Sequence, residues 1–195
     1  ATQKASSESL GSITNSFSMQ INRRTNPGTP RGAGNLRGED IEKISQVEGI
    51  TSSIKRINAI ADILDHEIIE TEETLQNQSS ERAKYFKNTL MVTGVNDSSK
   101  EDKFVSGAYK LVQGEHLTDK DKKQILMHED LAKKNGLKVG DKVRLKSNLY
   151  DADNEKGANE TVEVTIKGLF SGKNQAPLTY AQELYEDTLI SDLDT

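Results

Sequence analysis

The chain has 195 residues, a net charge of −5, a pI near 5.4, 33% apolar residues, and neither Cys nor Trp. The missing cysteine excludes disulfide frameworks, thiolate zinc sites and thiol nucleophiles. The acidic balance argues against the basic face that nucleic-acid binding requires, so no nucleic acid is expected as a partner.

A chain of this length buries roughly 70% of its unfolded surface, so a packed core is expected without covalent staples. No run reaches the roughly 20 apolar residues that cross a bilayer. No apolar leader opens the chain, and residue 1 is Ala. The sequence therefore reads as a soluble piece of a larger protein, with any membrane segments outside it.

Residues 1–12 are rich in Ser, Thr and Ala and read as a linker or stalk. Ser16 to Ile21 alternates polar and apolar, the period of a half-buried strand. Residues 22–37 hold two Pro, three Gly and four Arg, and read as a long loop. Asp40 followed by Ile41, Ile44 and Val47 predicts a short amphipathic helix, stopped by Gly49. Apolar residues at 50, 54, 57, 60 and 64 also have helical spacing, but β-branching favours a strand, assigned to 50–58. Glu70 to Lys84 is polar, a loop or an exposed helix. Leu90 to Val95 is a clearer strand, ended by the turn cluster Asn96 to Ser99. Phe104, Ala108 and Leu111 suggest a short helix that Gly114 breaks.

The densest pattern is Ile125 to Lys146. A strand over Gln124 to His128 leads into a helix over Glu129 to Asn135, with Leu131 and Ala132 inward and Lys133 and Lys134 outward. Gly136 supplies a left-handed stop. Gly140-Asp141 turns into a strand over Lys142 to Ser147, and Thr161 to Phe170 alternates as its partner across a hairpin loop at 148–160. Asp119 to Lys146 carries nine Lys/Arg against five Asp/Glu, the ordinary solvated surface of a helix and hairpin. The tail from Thr179 to Thr195 has five acids and no base.

Several fragments imitate catalytic or metal motifs and fail on a defining residue. His128-Glu129-Asp130-Leu131-Ala132 begins like H-E-x-x-H, but Ala132 stands where the second ligand belongs. His66-Glu67-Ile68-Ile69-Glu70 fails in the same way, with Glu70 in that position. Asp151 to Gly157 opens like a calcium loop, yet Lys156 takes the place of the sixth-position Gly, and Val162 that of the twelfth-position acid. Gly32 to Gly38 has one residue too many for G-x-G-x-x-G and does not follow its strand directly. Neither G-x-x-x-x-G-K-[ST] nor G-x-S-x-G occurs. No catalytic, cofactor-binding or metal-ligating residue is assigned, no cofactor is expected, and the chain reads as a non-enzyme.

Taken in order, the segments resemble the extracytoplasmic domain of MacB/FtsX-like ABC transporter permeases. The resemblance is carried by Phe17 to Ile21, Asp40-Ile41 through Val47-Glu48-Gly49-Ile50, and Val92-Thr93-Gly94-Val95. It continues through Leu111 to Thr118, Ile125 to Val143 and Val164 to Phe170. It implies an α+β fold: a porter-like α+β lobe with a smaller, mostly β lobe inserted into it. Residues 1–12 would continue a stalk, 13–95 would form the first half of the porter-like lobe and 96–170 the inserted lobe. Residues 171–195 would return toward the porter-like lobe, whose second half would begin where this chain stops. The resemblance further implies a cell-membrane protein facing the extracytoplasmic side. It would work with a separate cytoplasmic ATPase subunit, a second permease protomer, and an adaptor or extracellular protein partner. Two other readings stand beside it, an extracellular sensor or adhesion domain and a metal-dependent hydrolase.

Overall fold

The computed structural model describes residues 43, 46–48, 54–148, 160–174 and 178–195. The chain divides into two compact units, Ala1–Ser53 and Ile54–Thr195. In the first, Lys43 is helical and residues 46–48 form a turn. The predicted strand at 16–21, the loop at 22–37 and most of the helix near Asp40 lie outside the described residues.

The second unit is built on seven strands: β1 (Arg56–Ile63), β2 (Thr89–Val95), β3 (Lys110–Gly114), β4 (Gln124–His128), β5 (Lys142–Ser147), β6 (Thr161–Ser171) and β7 (Thr188–Ser191). They form one sheet in the order β3-β6-β4-β7-β2-β1-β5, and β5 also pairs with β6. Six strands therefore close into a barrel. The length of β6 makes this possible. Its residues Thr161 to Thr165 pair with β5, Gly168 to Ser171 with β3, and Thr165 to Phe170 with β4. The β2–β7 and β4–β6 pairs are parallel and the other ladders antiparallel.

Helices are minor: α1 (Glu72–Gln76), α2 (Ser80–Phe86), α3 (Asp102–Val105) and α4 (Glu129–Lys134). This overturns the α+β expectation of a porter-like lobe carrying an inserted β lobe. The described fold is mostly β, a closed six-stranded barrel with β3 alongside. The physical reason is closure: each strand of the ring pairs with a neighbour on both sides, so the sheet curls around its own inner core instead of packing it against a layer of helices.

Strand alternation separates two apolar clusters. Ile63, Leu90, Val92, Ile125, Met127 and Leu189 belong to the larger one. Val95, Tyr109, Leu117, Leu126, Phe170 and Ile190 form a second on the opposite faces. β4 thus feeds both clusters, which explains its unbroken Ile-Leu-Met run, the pattern of a strand covered on both sides. The larger cluster also takes in Leu131 and Ala132 of α4, Ile68, Ala181 and Leu184. These residues stopper one end of the barrel.

At the other end lies a groove of about 380 Å³, lined by Ile57, Ala59, Gly94, Val162, Ser191 and Leu193 among others. Arg56 pairs with Val95 and Ser191 with Gly94. β1 therefore begins, and β7 ends, at this same end on either side of β2, about 10 Å apart at ordinary strand spacing.

Two local expectations need correction. The strand expected at 50–58 overlaps β1 only from Arg56, and β1 continues to Ile63. Its helix-like spacing was coincidental, because pairing with β2 puts Ile57 and Ile60 on opposite faces. The helix expected through Leu111 is only one turn, since Gly107 at φ 79° redirects the chain and Leu111 enters β3. The acidic tail, to which no element was assigned, supplies β7.

The α4 region follows its expected pattern. Gly136 adopts φ 65° and Gly140 φ 94°. The Gly140 N–H donates to the Ile166 carbonyl at 2.8 Å, and the Asp141 carboxylate accepts from the Lys138 N–H at 3.0 Å.

Candidate functional site

The densest convergence of chemically capable side chains lies where β4 passes into α4. His128 has the outward parity of β4, on the side of Leu126 and Phe170, and is 1% exposed. Its Nε2 lies 2.8 Å from the carbonyl oxygen of Gly172, and its Nδ1 accepts the Asp130 N–H at 3.1 Å as the N-cap of α4. The first contact requires a proton on Nε2 and the second a lone pair on Nδ1, so the two fix one neutral tautomer. The Phe170 ring meets the imidazole edge-on at 5.4 Å.

Gly172 matters for this arrangement. A Cβ there would sit 2.7 Å from the Ala108 carbonyl and 2.9 Å from the Tyr109 ring. Only glycine lets the segment after β6 run close enough to offer its carbonyl to His128.

Asp130 Oδ2 lies 3.9 Å from His128 Nδ1. Glu186, in the 3-10 turn Tyr185–Asp187 just before β7, completes a group whose ligand-capable atoms all lie within 4.8 Å of one another. Glu186 Oε2 is buried and has no hydrogen-bond partner among the described residues. A cavity of about 370 Å³ borders His128 and Asp130 and is also lined by Lys110, Gly172 and Lys173. One imidazole lone pair and two carboxylates make a mixed nitrogen and oxygen donor set, and Ser171 lines the same cavity.

Asp187, the next residue, is fully buried. Its Oδ1 accepts the Ile69 N–H at 2.7 Å, while Oδ2 is buried without a partner. Burial pushes its carboxyl up to about 8, against the Ile69 hydrogen bond, with Glu186 and Glu70 adding repulsion and Lys134 opposing it. The loop carrying Ile69 is also strapped to α4. Lys134 Nζ donates to the Ile68 carbonyl at 2.7 Å, and Asn135 bonds both backbone groups of Glu67.

A second pair looks catalytic in outline. Ser98 Oγ lies 2.8 Å from His116 Nδ1, and burial holds that imidazole below its ordinary range against the pull of Asp97. Ser98, however, is fully buried and also accepts the Leu117 N–H at 2.8 Å. Asp97 is committed to the N–H and hydroxyl of Ser99. The pair therefore joins two loops and offers no accessible nucleophile.

The sequence fragments fare differently in three dimensions. Ala132, in the ligand position of the H-E-x-x-H-like run, is a core residue at 1% exposure. His66 and Glu70 lie outside any helix, so they share no helical face. The Asp151 to Gly157 fragment and Gly32 to Gly38 lie outside the described residues. Asp130 and Glu186 escaped sequence reasoning, Asp130 because it fills a variable position of the failed motif and Glu186 because it is remote in the chain. The only available signal was the H-x-D spacing at a helix start. No family model matches the chain, and no curated protein matches its sequence.

Proposed function

We propose that this chain is a non-catalytic extracytoplasmic domain of a MacB/FtsX-like ABC transporter permease. It couples ATP-driven movement of membrane helices to export or to an extracellular partner. The closed barrel has no porter-like lobe to support this reading. What remains is the ordered set of segments, centred on the run from Ile125 to Val143, which forms β4, α4 and the turn into β5.

The observation that carries the reading is where the chain enters and leaves the barrel. β1 starts and β7 ends on either side of β2 at one end. A domain hung between two successive membrane helices needs its two connections close together and on one side. A closed barrel also suits the task mechanically, because it moves as a body instead of shearing along a free sheet edge.

The test is the full-length gene product. It should carry one membrane helix before this domain and three after it. Purified in detergent, it should retain a cytoplasmic ATPase subunit and a second copy of itself. A single membrane helix joined to a kinase or a wall anchor would overturn the proposal in favour of a sensor or adhesion domain.

A further inference from the structure

We propose that His128, Asp130 and Glu186 bind one divalent transition-metal cation, and that this metal ties the segment before β7 to the start of α4. The inference is independent of the transporter reading.

Three observations support it. Donor atoms from β4, α4 and the 3-10 turn ahead of β7 meet within 4.8 Å. Chance clusters on a surface are common, but this one contains a histidine that is 1% exposed.

The Gly172 carbonyl also fixes the proton on Nε2, leaving the Nδ1 lone pair on the side of Asp130. A ligating imidazole is ordinarily oriented in this way, through a hydrogen bond from its other nitrogen to a carbonyl or carboxylate.

Glu186 Oε2, finally, is buried without a hydrogen bond, and among the described residues Glu186 forms no ion pair. A buried carboxylate oxygen requires a compensating donor or cation. Lys110 and Lys173 line the cavity beside His128 and Asp130, but neither is bonded to Glu186, and two other lysines on neighbouring elements are engaged elsewhere. Lys134 donates to the Ile68 carbonyl, and Lys103 lies over the Tyr109 and Tyr185 rings.

Occupation requires two adjustments. His128 Nδ1 must exchange the Asp130 N–H for the metal, giving up one N-cap bond. The carboxylates must close in until the donors sit about 2.0–2.2 Å from the ion. Asp130 is 52% exposed and free to rotate. Three protein ligands leave a fourth position for water, on the side of the cavity lined by His128, Asp130 and Gly172. A mixed imidazole and carboxylate set suits zinc and its first-row neighbours better than calcium or magnesium, which prefer all-oxygen shells. Because Glu186 lies in the 3-10 turn that leads into the strand between β2 and β4, the metal would stabilise the closed barrel.

The test is zinc titration of the purified chain by calorimetry, with thermal unfolding followed with and without zinc. The expected result is one equivalent bound and a rise in Tm. Glu186→Gln keeps the side-chain shape and should lower zinc affinity at least tenfold. It should also abolish the zinc-dependent rise while leaving the metal-free Tm close to that of the parent. Asp130→Asn should weaken binding in the same direction. His66→Ala and His116→Ala should bind zinc as the parent does. Absence of saturable binding, unchanged binding in Glu186→Gln, or loss of binding in the His66 or His116 variants would overturn the proposal.

Discussion

Asp187→Asn should make the stability of this protein less sensitive to pH. Asp187 is fully buried, with Oδ1 on the Ile69 N–H and Oδ2 unpartnered. In the fold its carboxyl stays protonated up to about pH 8, whereas in the unfolded chain it ionises near its ordinary 3.8. Between those values the folded state holds a proton that the unfolded state has released, so stability falls as pH rises. Each pH unit in this window costs about 1.4 kcal/mol, giving a ceiling of roughly 5 kcal/mol by pH 8. Lys134 can swing toward the ionised form and recover part of this.

Asn at 187 keeps an acceptor for Ile69 and cannot ionise. It adds a buried amide whose fixed cost does not change with pH. Urea unfolding of parent and variant at several pH values separates the two effects. The variant should gain on the parent steadily from about pH 4.5 to pH 8, by about 2 kcal/mol or more in total. A stability difference that stays flat across that range would refute the reasoning.

The packing sets four further outcomes. Arg82 lies 3.6 Å from the Tyr180 ring and 4.5 Å from the Phe86 ring, and donates to Gln182. Arg82→Ala should cost about 1–2 kcal/mol in urea unfolding by loosening α2 from the tail. Gly114 sits at φ 79° with room for no Cβ, which would overlap the Lys167 carbonyl oxygen and come within 2.6 Å of Gly168 Cα. Gly114→Ala should lose more than about 3 kcal/mol in guanidinium unfolding. Gly107→Ala, at the same φ but with nothing within 4 Å, should lose only the backbone strain of about 1–2 kcal/mol. Ser98→Ala leaves the buried Leu117 N–H without its acceptor and should cost about 1–3 kcal/mol, read as a lower denaturation midpoint.

Segments whose pattern closes on itself within about twenty residues were legible. Gln124 to Ser147 is the clearest case. An apolar strand, a helix with two inward positions, a left-handed glycine stop and a tight turn all appear in the structure as read. Each of those features is set by neighbours in the chain. Where partners are remote, the reading failed. The isoleucines from 50 to 64 fit two periods, and only the ladder with β2 chose between them. β7 has four residues among acids, too few to show a period. It is a strand because β2 and β4 offer it ladders on both sides. The candidate site failed to show for the same reason. His128 stood out in the sequence, but its meaning depends on the Gly172 carbonyl and on Glu186, which arrive only after β6 and β7 have paired.

The sequence alone determined the local pieces of this protein: the strand run, the short helix, the glycine stops, the absence of cysteine chemistry and the acidic balance. These follow from side-chain period, backbone freedom and composition, none of which needs a distant partner. Tertiary structure decided the architecture. An 11-residue β6 that serves β5 and β3 in succession and β4 besides, together with a late strand between β2 and β4, turned an expected α+β lobe into a closed barrel. Ladder pairing is a long-range choice, driven by burying two apolar faces at once, and the chain carries no local mark of it.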